Sequence, residues 1–235
     1  MGPIYTPKGA AKEYGDYALN IYSGCPHRCS YCLAPNVLHK TKEAFHSVVE
    51  PRAEIVEKVR KQIEKEKITN KLIHLCFVCD PYPTGFDTKP TREIIKLLKE
   101  SGNHVQLLTK SKCVRDLDLL DSDDWYGISL SGSDEAEPNA ASHIERIEAL
   151  KLAKTFGVST WVSFEPVVDA DAVMNLIKEY HDYFDIVKIG KLNYHPSDIN
   201  WGKFAVEVSE LCESLDLKYK LKNSLLEEKE KYIAE

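Results

Sequence analysis

The chain has 235 residues, 43% of them hydrophobic, and a formal net charge of −6; this suits a single domain with a sizeable core and excludes a protein that grips nucleic acid by bulk positive charge, a local basic groove aside. No stretch approaches the ~18 apolar residues that span a bilayer, and the first eleven residues lack the apolar run of an export signal, so a cytoplasmic protein without membrane association is expected. In that setting seven cysteines, an odd number, read as reduced thiols and metal ligands rather than disulfides.

In chain order, residues 1–16 show little hydrophobic pattern and read as an N-terminal arm. Residues 17–22 are a short apolar run, the first strand, and Ser23-Gly24 turns the chain. Cys25, Cys29 and Cys32 follow within one loop, with Tyr31 just before the last. Soft sulfur ligands at C-x3-C-x2-C spacing suit iron–sulfur or zinc. Three ligands where four are usual leave a metal position open for chemistry. A zinc knuckle completed by His27 or His39 competes with this, but no second C-x2-C or H-x3-H pair flanks the loop.

Residues 33–42 are too polar and proline-broken to assign. Glu50-Pro51 opens a helix to residue 67, with Ile55, Val56, Val59 and Ile63 at helical spacing. Residues 72–79 form a near-continuous apolar run, as in a parallel strand covered on both faces, and 91–100 a helix stopped by Gly102. A strand at 104–109, a short helix at 114–120 and a strand at 125–130 come next. Ser142 and Glu145 form a capping box for a helix closed by Gly157. A strand at 160–164, a helix at 170–184, a strand at 185–189, a helix at 203–215 and an edge strand at 218–221 complete the alternation. Residues 223–235 read as a charged helical tail capping the domain in solvent.

Six strand–helix units predict an α/β fold with a right-handed parallel sheet. They are too few to close an eight-stranded barrel, so residues 17–222 are expected to form an open partial (β/α)6 TIM-like barrel. A flat doubly wound sheet fits the same pattern. In either fold ligands gather at the carboxyl ends of the strands. Those ends are Cys79-Asp80-Pro81-Tyr82, Thr109-Lys110-Ser111, Ser129-Leu130-Ser131, Glu165-Pro166 and Lys191-Leu192-Asn193, all converging on the cysteine loop.

The Cys-x3-Cys-x-Tyr-Cys loop directly after the first strand resembles the signature of the radical S-adenosylmethionine (SAM) superfamily. Together with Asp80-Pro81-Tyr82, Thr109-Lys110-Ser111 and Ser129-Leu130-Ser131, the stretch from Tyr22 to Cys32 is similar to the spore photoproduct lyase-like branch, over roughly residues 19–193. The resemblance implies that Cys25, Cys29 and Cys32 hold three irons of a [4Fe–4S] cluster whose fourth iron chelates SAM, with Tyr31 at the aromatic position. It places Lys110 and Ser129 at the SAM carboxylate and Asp80 near its amino group. Arg146 is a further cofactor candidate, against a solvated helix-face arginine, and Glu165 could hold the SAM ribose or substrate.

The implied activity is reductive cleavage of SAM to a 5′-deoxyadenosyl radical that abstracts a hydrogen atom, in an enzyme of lyase or isomerase type. The branch points to a nucleobase or nucleic-acid-derived substrate, with a peptide or small metabolite as the alternative, and to an electron donor such as flavodoxin or ferredoxin. The chain is shorter than the photoproduct lyases and shows no added element for gripping duplex DNA, so repair of a duplex lesion is not expected. Cys76 and Cys79 are read inside a strand on opposite faces, unable to share a metal; Cys76 is assigned to the core and Cys79 as a candidate hydrogen-atom donor to a substrate radical. Cys113 and Cys212 read as ordinary thiols, and Tyr82 and Tyr194 as candidates for stacking on a base. Two readings lie outside radical chemistry. One is a non-catalytic zinc or iron–sulfur module; the other is a sugar- or phosphate-binding protein, which has no glycine-rich phosphate loop to support it.

Overall fold

A computed structural model describes residues 2–234; Met1 and Glu235, the ends of the expected arm and tail, lie outside the described residues. The short apolar runs pair into one sheet whose strand order follows the chain. The strands are β1 (Ile4–Tyr5), β2 (Tyr17–Leu19), β3 (Leu72–Leu75), β4 (His104–Leu107), β5 (Trp125–Ser129), β6 (Ser159–Phe164), β7 (Ile186–Ile189) and β8 (Tyr219–Leu221). β1 runs antiparallel to β2, and all the other pairs are parallel. β2 to β7 are the six strands read from the sequence, and β8 is the expected edge strand. Two-residue β1 is too short to leave a pattern. No pairing joins β1 to β8 among the described residues, so the sheet curls as an open, partial TIM-like barrel.

The helices are α1 (Ala34–Val37), α2 (Lys42–Ser47), α3 (Ile55–Glu66), α4 (Lys89–Glu100), α5 (His143–Thr155), α6 (Ala170–Tyr180), α7 (Trp201–Ser214) and α8 (Asn223–Ala234). On α3, Ile55, Val59 and Ile63 bury one face, as their spacing requires. That helix starts later than Pro51 because Glu54, at φ 53°, turns the chain just before it. The unassigned stretch after the cysteines folds into α1 and α2, the latter capped by Thr41 accepting from Ala44 N at 3.2 Å. Residues 114–120 keep only a 3-10 turn, Leu117–Leu119. α5 opens on the expected capping box of Ser142 and Glu145. The tail is more than a solvated cap. α8 buries Leu225 completely, and Lys229 Nζ donates to Ser209 Oγ on α7 at 2.8 Å. No described helix is long and apolar enough to cross a membrane.

One strand ends earlier than its apolar run suggests. Asn20 Oδ1 accepts from Phe77 N at 2.8 Å and Val78 N at 3.0 Å, which draws the chain out of the β3 ladder, and Cys76 turns at φ 73°. Cys76 and Cys79 therefore do not sit on opposite faces of a strand as expected; they flank an irregular turn past its end.

The arm between β1 and β2 runs through the open barrel. Gln106 Nε2 on β4 donates to Tyr14 O at 3.2 Å, Lys222 Nζ donates to Ala10 O at 2.9 Å, and Asn223 N donates to Glu13 Oε2 at 2.9 Å. The arm thus bridges from the middle of the sheet to the end of β8, the edge where a full eight-stranded barrel would continue. Beside it the buried Trp161 lies over Gly127, its Nε1 donating to Leu107 O at 2.9 Å. A Cβ on Gly127 would overlap the Trp161 indole and stand 2.7 Å from Leu107 O. Gly127→Ala is expected to cost about 1–3 kcal/mol of stability through overpacking, read as a lower urea midpoint with an unchanged slope.

Candidate functional site

The loop that follows β2 is pinned from two sides. Gly24 passes so close to the Phe45 and Val48 carbonyls of the α2 segment that any Cβ would overlap them. Cys25 N donates to Phe45 O at 3.3 Å, and His46 Nδ1 meets Cys25 O at 2.8 Å. On the other side the segment after β5 folds over the loop. Ser30 N donates to Ala136 O at 2.9 Å, Asn139 N to His27 O at 3.2 Å, and Asn139 Nδ2 to Pro26 O at 3.0 Å.

Burial pushes the Cys29 thiol up to about 11 against the pull of Lys110, and it raises Cys25 and Cys32 as well. These thiols hold their protons until a metal displaces them. The donor set fits an iron–sulfur cluster better than a single zinc ion. Three soft thiolates on one short loop suit a cluster with one iron left open for a further ligand. The zinc reading also lacks its fourth ligand: His27 Nδ1 stands 3.6 Å from Asp80 Oδ2 and Nε2 is 3.2 Å from Thr84 Oγ1, while His39 is exposed.

Beside the loop, the strand ends deliver their side chains to one place. Buried Asp80 accepts from Thr109 Oγ1 at 2.6 Å, Tyr82 N at 2.8 Å and Lys110 N at 2.8 Å. Its carboxylate therefore fixes the backbone that carries Lys110. Lys110 Nζ donates to Ser129 Oγ at 2.5 Å and lies over the Tyr31 ring, 5.8 Å from its centroid.

The centre of this cluster is Glu137, which sequence reasoning missed. Its carboxylate accepts from Tyr31 OH and lies 3.5 Å from Lys110 Nζ, 3.5 Å from His143 Nε2 and 2.6 Å from Arg146 Nη1. Burial disfavours its charge, but Lys110, His143 and Arg146 outweigh that and hold the carboxyl well below the usual range. Arg146 is completely buried, so the solvated-face alternative falls. Its Nη1 donates to Ser129 O at 2.6 Å and its Nε to Ala141 O at 2.7 Å, while Nη2 has no hydrogen-bond partner among the described residues. The only sign of Glu137 in the sequence is the length of the polar loop after a strand end.

The other candidates separate. Cys79 is half-buried beside the Cys76 thiol and close enough to Cys25 to raise its pKa. Glu165 lies elsewhere in the barrel, its carboxylate accepting from Tyr14 OH and 3.6 Å from Lys222 Nζ. Tyr82 is buried with its hydroxyl on Asp116 at 3.1 Å, so it packs and offers no stacking face. Tyr194 is 88% exposed. Cys212 is buried on α7, and Cys113 is half-buried.

Residues 19–169 match the family model described as the Radical SAM superfamily. An uncharacterized protein of Methanocaldococcus jannaschii is 26% identical over 181 residues, covering 72% of this chain and 68% of that protein. An uncharacterized protein of Acidianus two-tailed virus is 28% identical over 193 residues, 73% of this chain but only 62% of the viral protein, less than two thirds of its length. Among solved structures, a spore photoproduct lyase point mutant superposes with a TM-score of 0.70 at 12% identity, over 92% of this chain and 79% of the other. A second spore photoproduct lyase mutant, with AdoMet and a dinucleoside spore photoproduct bound, gives 0.62 at 14% identity over 89% and 63%. Streptococcus suis SuiB bound to S-adenosylmethionine gives 0.63 at 11% identity over 88% and 50%. At such identities the likeness is one of fold.

Because its folded pKa lies below its unfolded one, Glu137 contributes stability that is present above ~pH 4.3 and is lost as the pH falls further. Glu137→Gln removes that contribution and strands the buried charge of Arg146. The expected cost is about 3–5 kcal/mol at neutral pH. In urea unfolding, the gap to wild type should narrow as the pH is taken from ~5 towards ~2.

Proposed function

The chain belongs to the radical SAM superfamily, and on that premise we propose that it takes a hydrogen atom from a nucleobase or nucleic-acid-derived substrate. Enzymes of this family use a [4Fe–4S] cluster and SAM and need a reductant. When bound, that pair supplies a 5′-deoxyadenosyl radical, formed as one electron breaks a carbon–sulfur bond of SAM.

The observation that carries the reading is the packing of Lys110, Ser129, Glu137 and Tyr31 directly beside the cysteine loop. Cys25, Cys29 and Cys32 would hold three irons. Lys110 would pair with the SAM carboxylate through a charge-assisted hydrogen bond, with Ser129 donating beside it. Glu137, 3.5 Å from that ammonium, holds it in place, and Arg146 anchors Glu137 to the backbone at Ser129 and Ala141. Asp80 sets the height of Lys110 and brings a negative charge toward the SAM amino group. The Cys79 thiol would return a hydrogen atom to the substrate carbon radical and be left as a thiyl.

The nucleobase rests on the likeness of fold to spore photoproduct lyase with its dinucleoside bound. The likeness to SuiB bound to its precursor peptide keeps a peptide as the second reading. An electron donor such as flavodoxin or ferredoxin is the proposed reductant partner.

Anaerobic loading with iron and sulfide, then reduction with SAM, tests this directly. Wild type should turn brown and form 5′-deoxyadenosine, whereas Cys29→Ala should do neither. Lys110→Ala should load its cluster but bind SAM about tenfold or more weakly. Cys79→Ala should still cleave SAM, with nucleoside substrate diverted to side products. A fully loaded wild-type protein that neither binds nor cleaves SAM would sink the proposal.

A further inference from the structure

Tyr14, His74, Trp161, Lys188 and Lys222 take no part in the site around the cysteines, yet they build a second one inside the barrel. The Tyr14 ring stands edge-on to Phe77 and Trp161, with centroids 5.7 and 5.8 Å away, and tilts against His74 at 5.6 Å. Its hydroxyl meets Ser163 Oγ at 2.9 Å and the Glu165 carboxylate. Lys222 and Lys188 place their ammonium groups 4.0 and 4.9 Å from the ring centroid.

Two of these groups lack the partner their burial calls for. Lys222 is balanced by Glu13 at 3.5 Å and Glu165 at 3.6 Å. Lys188 has no carboxylate within ion-pairing distance among the described residues, and its one hydrogen bond is a 3.3 Å contact to Tyr14 O. His74 is 1% exposed; Gln106 Nε2 lies 3.1 Å from its Nδ1, which leaves the proton on Nε2, and that atom has no hydrogen-bond partner among the described residues. A half-buried ammonium that meets only the Tyr14 and Trp161 rings, each 4.9 Å away, and one long hydrogen bond, together with an unused buried donor, leaves charge and hydrogen-bonding capacity unmet. Both are satisfied by an anion.

We propose that this chamber binds a planar ring with a hydrogen-bonding edge and an attached anion, a nucleoside monophosphate unit, and that Tyr14 of the chain's own arm holds its place. The proposal rests on the nucleobase reading above and narrows it. The base would take the slot of the Tyr14 ring between Phe77 and Trp161, its donor edge on Ser163 and Glu165. The phosphate would replace the Tyr14 carbonyl at Lys188 and accept from His74 Nε2. A free mononucleotide and a nucleotide of a single strand present the same chemistry.

The test is calorimetric titration of the reconstituted full-length protein with SAM present and no reductant. The probes are thymidine 5′-monophosphate, thymidine, a short oligothymidylate and 4-hydroxyphenylacetate. Tyr14→Ala should bind the monophosphate about tenfold more tightly than wild type and Tyr14→Phe should not. Thymidine should bind about tenfold more weakly than its monophosphate, and Lys188→Met should erase that difference. Tighter binding of the oligonucleotide would support the proposal and name a strand as the source. No nucleotide binding to a folded Tyr14→Ala protein would overturn it, as would equal binding of nucleoside and nucleotide. Should Tyr14→Ala not fold, the Lys188→Met comparison at high monophosphate concentration in the wild-type arm decides the same question. Capture of 4-hydroxyphenylacetate alone would overturn the nucleotide assignment, whereas the radical SAM reading is judged separately by 5′-deoxyadenosine formation.

Discussion

Glu137 carries a full negative charge into a place water does not reach, and the site beside the cysteine loop is arranged around that charge. A lone buried carboxylate would take up a proton; here Lys110, Arg146, His143 and Tyr31 surround it. These four come from three segments distant in sequence: the cysteine loop, the loop after β4 and helix α5. Their shared partner is what registers those segments against each other. A buried ion network of this kind is weak support for stability as such, but it leaves few alternative arrangements in which every charge is matched. Among the described residues Arg146 Nη2 has no hydrogen-bond partner and Glu137 Oε2, 2.6 Å from Arg146 Nη1, has none of full hydrogen-bond geometry, so the matching is incomplete on both sides.

The barrel solves a geometric problem in a related way. Seven parallel strands leave a gap, and the gap exposes the barrel interior. Polar side chains of β3, β4, β6 and β7, with Lys222 just past β8, line that interior, and the arm supplies Tyr14 and Glu13 to meet them. Burial and the two nearby lysines keep His74 neutral, its pKa lowered to about 3, and burial with Lys222 lowers Lys188 to about 8. The site at the cysteines and the interior beside it, where Ser163 pairs with Ser129 across β5 and β6, thus differ in character. One is a tightly paired ion cluster at the cysteines; the other is an aromatic chamber with charge to spare.

Most of the architecture was legible because burial on both faces writes parallel strands as apolar runs. The cysteine loop was legible because three thiols at that spacing have few other uses. Lys110, Ser129 and Asp80 were legible as polar ends of apolar strands, and the structure brings all three together. What stayed hidden depends on contacts across the chain. Glu137 sits in a polar loop like any other until Arg146 and Tyr31 close on it. Tyr82 looked available for stacking until Asp116, far along the chain, took its hydroxyl. The end of β3 is set by a side chain of β2's neighbour, Asn20, which no local pattern in residues 72–79 reveals.

The arm's anchoring also governs the order in which the molecule can be made. Lys222 reaches Ala10 across 212 residues of sequence, and Asn223 reaches Glu13 across 210. At ~5–20 residues per second, a ribosome needs about 10–40 s to cover that distance. During that interval the emerging strands stand with a polar interior open on one side and an unpaired edge, the condition in which nascent parallel sheets meet one another. In a molecule built in this way nearly all of the core is made before the residues that hold the arm in place.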